Sequence, residues 1–259
     1  MEDMMRIEIS FESLNGKIIL PVHYNFYIQS LIYKIFSPIL ATKLHNDGFK
    51  FEKRSFKFFT FSRILEKGEK VKLKDQDFLI FKNSISFIFS SPKEEIVSDL
   101  GEKSIKEREF TLLKNRIYLS KIRVYMTPRL EAPLKIKFLS PVTIHSTIEL
   151  QDGNKRSIYY KPIEKAFNSL LTQNLIKKFR ALYGKDPECT KFEIKPIYFS
   201  IKSNFHLIKF KNTPIEAYDG IFELDGSQQL ISLSYDTGLG DRNSEGFGLW
   251  EIYKGGEIE

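Results

Sequence analysis

Four glycines fall within eleven residues near the end of the chain, at Gly238, Gly240, Gly246 and Gly248, and the five residues between the two Gly-x-Gly units are all polar. Without a Cβ, such a backbone takes positive φ and comes close to a phosphate, and successive N–H groups form an anion-binding nest. Arg242, Asn243 and Ser244 add side-chain donors at the same place. The chemistry on offer is therefore anion binding. Neither common nucleotide fingerprint fits, because the dinucleotide motif follows an early strand and Walker A requires Gly-Lys-Ser/Thr. A purely structural glycine turn before a last strand is the competing reading.

The charge balance agrees with a polyanionic partner: 40 Lys and Arg against 33 Asp and Glu give +7 and a pI near 9.2, as nucleic-acid-binding domains often show. The excess is local. From Lys43 to Lys72 nine basic residues face four acidic ones, and Lys53, Arg54 and Lys57 crowd its centre. The single cysteine, Cys189, forms no intramolecular disulfide and no zinc knuckle, which points to a reducing, cytoplasmic compartment. The four histidines, His23, His45, His145 and His206, are too dispersed for metal-ligand spacing, so neither a metal nor another cofactor is expected. No apolar run approaches a membrane span. No RRM-type Lys/Arg-Gly-Phe-Gly-Phe-Val string is present, so stacking of bases across a sheet is not implied.

These residues need elements to hold them. Arg6–Phe11 alternates as a half-buried strand, and apolar positions 24, 27, 28, 31, 32, 35 and 36 predict a helix over Tyr24–Phe36. Tyr33 lies about 160° from the centre of that apolar stripe, so its hydroxyl is expected at the surface. Pro38 permits a short helix over Ile39–His45, ended by Asp47-Gly48. Strands are expected at Phe56–Phe61, Phe78–Phe81 and Ser84–Phe89, the last two as a hairpin. Ser91-Pro92-Lys93-Glu94 reads as a capping box for a helix over Ile96–Lys106, and Ile117–Tyr125 closes the unit. Pro128 to Pro133 makes a linker, and the order then repeats. A strand falls at Leu134–Phe138, a helix runs from Pro162 to Gly184, strands follow at Phe192–Phe199, Phe205–Phe210 and Gly220–Leu224, a helix spans Ser227–Tyr235, and a strand closes at Leu249–Tyr253. Strand, helix, strands, helix, strand is the split βαβ order, so the class is α+β, with two tandem ferredoxin-like (RRM-like) domains at residues 5–127 and 134–254 and a C-terminal glycine-rich loop.

The glycine loop ahead of a terminal Phe-Gly-Leu-Trp-Glu strand resembles the signature of the repeat-associated mysterious proteins, whose endoribonucleases cut CRISPR repeat RNA. Residues 21–33 (Pro-Val-His-Tyr-Asn-Phe-Tyr-Ile-Gln-Ser-Leu-Ile-Tyr), 40–45 (Leu-Ala-Thr-Lys-Leu-His) and 57–62 (Lys-Phe-Phe-Thr-Phe-Ser) are similar to the same enzymes. The resemblance implies a tyrosine, a histidine and a lysine that make the 2′-hydroxyl attack its own phosphodiester without a metal, leaving 2′,3′-cyclic phosphate and 5′-hydroxyl ends. Tyr33, His45 and Lys57 fall on the matching segments; Lys53 is the rival to Lys57, and His23 is the rival histidine. Lys53, Arg54, Gly238, Gly240, Arg242, Asn243, Ser244, Gly246 and Gly248 are the expected RNA contacts. CRISPR repeat RNA is the implied partner, with a CRISPR effector complex and a homodimer left open. A noncatalytic RNA-binding or scaffold subunit of such a complex is the alternative function.

Overall fold

A computed structural model describes residues 6–52, 54–73 and 75–255; Lys53 and Met5 lie outside them. The first half runs β1 (Arg6–Pro21), α1 (Asn25–Ile35), α2 (Pro38–Asn46), β2 (Phe49–Phe51), β3 (Arg54–Phe56), β4 (Thr60–Phe61), β5 (Glu69–Leu73), β6 (Gln76–Ser90), α3 (Glu94–Glu107), β7 (Glu109–Leu112) and β8 (Asn115–Tyr125). The second runs β9 (Leu134–Phe138), β10 (His145–Glu149), β11 (Lys155–Tyr159), α4 (Lys165–Tyr183), β12 (Phe192–Tyr198), β13 (Phe205–Phe210), β14 (Thr213–Tyr218), β15 (Ile221–Gly226), α5 (Gln228–Thr237), a 3₁₀ turn (Asn243–Glu245) and β16 (Trp250–Ile252).

Each half has one main antiparallel sheet, in the order β4-β6-β1-β8-β7, with β5 also on β6, and β12-β15-β9-β16. In both, the first strand lies between the strand that precedes the last helix of that half and a strand that follows it. This is the ferredoxin-like arrangement twice over. Alternation explains the cores. Ile7, Ile9 and Phe11 of β1 pair with Phe89, Phe87 and Ile85 of β6, and all six are buried. Helix α1 lays Ile28, Leu31, Ile32 and Ile35 into this core, and α4 sets Phe167, Leu171, Leu175 and Phe179 into the other.

Several local expectations are corrected. Phe78–Phe89 is not a hairpin but part of one long strand, β6, because Asn83 takes positive φ at an irregularity opposite the Glu12–Lys17 break in β1 rather than at a chain reversal. Phe56–Phe61 is broken into β3 and β4 by Phe58, whose φ of 50° ends one pairing before the next begins. Ser91 is no capping box: α3 starts at Glu94, and the Ser91 hydroxyl accepts from the Lys93 amide and donates to the Phe58 carbonyl. Phe205–Phe210 belongs to a separate hairpin with β14, not to the main sheet.

The halves are joined by a buried cation. Arg6, at the start of β1, is 3% exposed; its guanidinium donates to the carbonyls of Trp250, at 2.8 Å, and Tyr235, and lies 3.5 Å over the Tyr235 ring. Replacing Arg6 by Leu strands two carbonyls at the seam and is expected to cost about 2 to 4 kcal/mol. Urea unfolding measures this, and an unchanged midpoint would show the contact to be idle.

Candidate active site

Helix α1 ends at Ile35, just beyond Tyr33, and the ring there is half-buried rather than fully exposed. The wheel placed it off the apolar stripe correctly, but Phe59, arriving from between β3 and β4, covers that side at 5.8 Å between ring centroids. Phe36 stands edge-on at 6.0 Å and His45 at 6.2 Å, nearly perpendicular at 84°. Burial raises the Tyr33 phenol to about 12, so the hydroxyl stays protonated and available as a donor at neutral pH.

His45 sits exposed in the last turn of α2, with Nδ1 3.0 Å from the Asn46 side-chain oxygen. The last carbonyls of a helix lack intrahelical partners and attract cations. Lys57 supplies one: its Nζ donates to the His45 carbonyl at 2.9 Å. Partial burial and nearby Lys50 lower the Lys57 pKa, while Asp47 opposes the shift. Phe58 then turns the chain so that Phe58 and Phe59 enter the interior while Lys57 stays at its edge. Tyr33, His45 and Lys57 are thus brought together by three different elements.

Lys57 also lines a cleft of about 430 Å³ between the halves. Arg54 and Ser55 stand beside it, and the facing wall carries His145, Asn174, Lys178 and residues Gly240 to Glu245. Of the glycine-loop residues named from sequence, Gly240, Arg242, Asn243 and Ser244 reach this cleft, whereas Gly238, Gly246 and Gly248 do not line it. The loop is also architecture. A Cβ on Gly248 would fall on the Leu239 carbonyl oxygen and one on Gly240 on the Thr143 carbonyl oxygen, and both glycines have positive φ. Asn243 Nδ2 donates to the carbonyls of Leu239 and Phe247, and Arg242 is paired with Glu245 at 3.0 Å. From the first half, Asn25 donates to the carbonyls of Glu245 and Gly246, Gln29 to that of Ser244, and Thr60 to that of Phe247.

Sequence reasoning missed the floor of this cleft. Lys178 is fully enclosed, and its ammonium donates to the carbonyls of Gly238 at 2.9 Å and Gly240 at 3.0 Å. Burial lowers its pKa to about 7, outweighing the attraction of Asp241. Asp241, itself nearly buried, accepts from Asn174 at 2.9 Å and lies 2.8 Å from His145 Nδ1 and 3.8 Å from Arg54. Burial alone would raise its carboxyl, but His145 and Arg54 outweigh that and hold it below its ordinary value. The signal was present: Asn174 and Lys178 are polar residues four apart among Leu171, Leu175 and Phe179, on the side of α4 that had to be buried. His23 and His206 do not line the cleft; His206 instead pairs with Asp219 at 2.7 Å.

A tandem ferredoxin-like chain with a cationic inter-domain cleft and a glycine-rich loop defines a class of RNA-handling proteins, and comparisons narrow it. Residues 19–123 match the family model described as CRISPR-associated protein Cas6, N-terminal, and residues 125–252 the model for the C-terminal part. The chain is 30% identical over 253 residues to CRISPR-associated endoribonuclease Cas6 1 of Methanocaldococcus jannaschii, covering 96% of this chain and 93% of that one. It is also 30% identical over 241 residues to the Cas6 endoribonuclease of Pyrococcus furiosus, covering 90% and 83%. A solved Cas6-related structure from Pyrococcus furiosus shares the fold with a TM-score of 0.82 at 22% identity, covering 96% and 98%. The chain belongs to the Cas6 family.

Two outcomes follow from this geometry. Gly248→Ala and Gly240→Ala should each lower stability by about 2 kcal/mol or more, through strained φ and collision with a carbonyl; thermal melts indistinguishable from the parent would contradict the packing described. Between pH 7 and the ordinary lysine value of 10.5, the unfolded chain keeps a proton that folded Lys178 has lost. The contribution of this group to stability therefore rises with pH across that window, with a slope of up to about 1.4 kcal/mol per pH unit. Urea melts at pH 6.5 and 9 should show the parent gaining more than Lys178→Met, and equal gains would mean that Lys178 titrates normally.

Proposed function

We propose that this chain is an endoribonuclease that cuts CRISPR repeat RNA without a metal. The 2′-hydroxyl beside the cleaved linkage attacks the phosphorus, the bond to the 5′-oxygen breaks, and the ends are a 2′,3′-cyclic phosphate and a 5′-hydroxyl. The observation that carries the reading is the meeting of Tyr33, His45 and Lys57: the Tyr33 and His45 rings lie 6.2 Å apart, and Lys57, which lines the cationic cleft, donates from Nζ to the His45 backbone carbonyl at 2.9 Å. His45 is the exposed imidazole that takes the 2′-hydroxyl proton. Lys57 neutralises charge on the nonbridging oxygens, and the Tyr33 hydroxyl donates to the same phosphate. Arg54, with half of its side chain exposed, and the cleft-facing edge of the loop at Gly240, Arg242, Asn243 and Ser244 guide the flanking RNA. The relatives named as Cas6 endoribonucleases support RNA cleavage as the activity.

His45→Ala should slow single-turnover cleavage of the repeat RNA by about 10² to 10⁴ while leaving affinity unchanged, since proton transfer contributes that much to rate. Tyr33→Phe should slow it less, and cleavage by the parent should persist in excess EDTA. Parent-like rates in His45→Ala would remove this site, and a gel shift without cutting by the parent would make the chain a scaffold instead.

A further inference from the structure

We propose that Lys178 couples RNA binding to a proton: when a phosphodiester chain enters the inter-domain cleft, this buried amine is protonated, and its charge then holds the chain from beneath the glycine loop. This rests on the reading above that RNA occupies the cleft, and on no particular cleavage chemistry.

Lys178 lies in the floor of the cleft, 2% exposed, and lines the same space as Arg54, Lys57 and Arg242. An ammonium there has lost its water and has three cationic side chains for company, and both effects favour the neutral amine. Against them stand the carbonyls of Gly238 and Gly240, at 2.9 and 3.0 Å, and the carboxylate of Asp241. That carboxylate is shared: His145 Nδ1 is 2.8 Å from it, Asn174 donates to it at 2.9 Å, and Arg54 lies 3.8 Å away. Glu245, the other carboxylate among the described residues that line the cleft, is paired with Arg242 at 3.0 Å. The elements behind the amine bring no further counter-charge. From α5 comes Thr237, whose hydroxyl faces the Leu233 and Gly238 carbonyls, while Asp236 acts on Arg6, Tyr183 and Tyr235. Lys50 of β2 is paired with Asp47, and Lys195 of β12 with Glu193.

The floor of the cleft is thus short of negative charge, and burial brings the Lys178 value down to about 7, with Asp241 opposing the shift. RNA supplies what is missing, since each linkage carries a negative phosphate. Phosphates above the floor favour the ammonium, so the value in the complex is higher than in the free protein. Between these two values the complex holds a proton that the free protein lacks. Affinity therefore falls as pH rises through that window, by up to about tenfold per pH unit; below it the amine is charged in both states and adds no dependence. A neutral amine still has two N–H bonds for the two carbonyls, so the loop keeps its shape and only the charge beneath it changes.

The test measures binding of the full chain to its repeat RNA, with 2′-deoxyribose at the linkage the parent cuts, at pH 6.5, 7.5 and 8.5 and constant ionic strength. Parent affinity should fall by about tenfold or more across this range. Calorimetry of the parent at pH 8 in two buffers of different ionisation heat should find close to one proton taken up per RNA bound. Lys178→Gln keeps an NH₂ donor for the carbonyls but does not titrate, and its affinity should change by less than about threefold over the same range. Lys178→Met should behave alike; melting curves show that each variant is folded, and the proton count on the parent decides if neither is. His145 and Lys57 line the same cleft and are the groups able to imitate this behaviour. A pH dependence that survives in Lys178→Gln and disappears in His145→Gln or Lys57→Arg overturns the assignment, as does a parent that takes up no proton. Repeat RNA that fails to bind at every pH overturns both this and the RNA reading. Binding without cleavage fails the endoribonuclease reading alone, and the same titration with unmodified RNA then decides the role of Lys178.

Discussion

Lys178 carries its ammonium into a site closed to solvent and spends it on the carbonyls of Gly238 and Gly240. A loop that curls its carbonyls inward around a cation must make the turn in little space, and this one does so with positive φ at Gly238, Gly240, Arg242, Gly246 and Gly248. The ammonium keeps Asp241 at hand, because a buried amine and a buried carboxylate each need an opposite charge nearby. Asp241 then gathers Asn174, His145 and Arg54 around itself. Lys178 thus ties the loop to α4, beside Asn174 of the same helix, which holds Asp241.

The N-terminal wall depends on the same helix at one remove. The β2–β3 hairpin, which leads into Lys57, meets α4 through Arg180 over the Phe51 ring at 5.9 Å, and meets the glycine loop through Arg54, 3.8 Å from Asp241. Lys57 in turn holds the end of α2 through the His45 carbonyl. The placement of His45 relative to the cleft therefore depends on packing against the second half of the chain. Tandem ferredoxin-like units with independent cores still share one site, because no single unit carries both walls.

How much of this was legible in the sequence follows from how local each feature is. The stripe on α1 and the alternation in β1 are set by neighbours in sequence, so those elements and Tyr33's place off the stripe were readable. The half-burial of Tyr33 was not, since Phe59 approaches from 26 residues away, past a left-handed Phe58 that no turn residue announces. The glycine spacing marked the loop, but residue type alone does not say whether the space above a glycine holds a phosphate or a carbonyl. Here the carbonyls of Leu239 and Thr143 occupy that space at Gly248 and Gly240. The β10–β11 hairpin has four exposed residues in β11 and three in β10, too little apolar alternation to signal a strand. Lys178 was legible in principle as a charge on a buried stripe, a pattern seldom tolerated without a partner.

The environment of Tyr33 limits the roles open to its neighbours. A phenol pushed up to about 12 by the rings around it remains protonated over the whole range in which RNA is handled. Its hydroxyl is therefore a hydrogen-bond donor at neutral pH. Lys57 also holds the end of α2, where its charge matches the negative end of the helix dipole. Beside them, in the last turn of α2, stands the exposed imidazole of His45. The same packing that half-buries the Tyr33 ring thus sets it edge-on against a histidine on a short helix, whose end is anchored by the very lysine that faces the cleft.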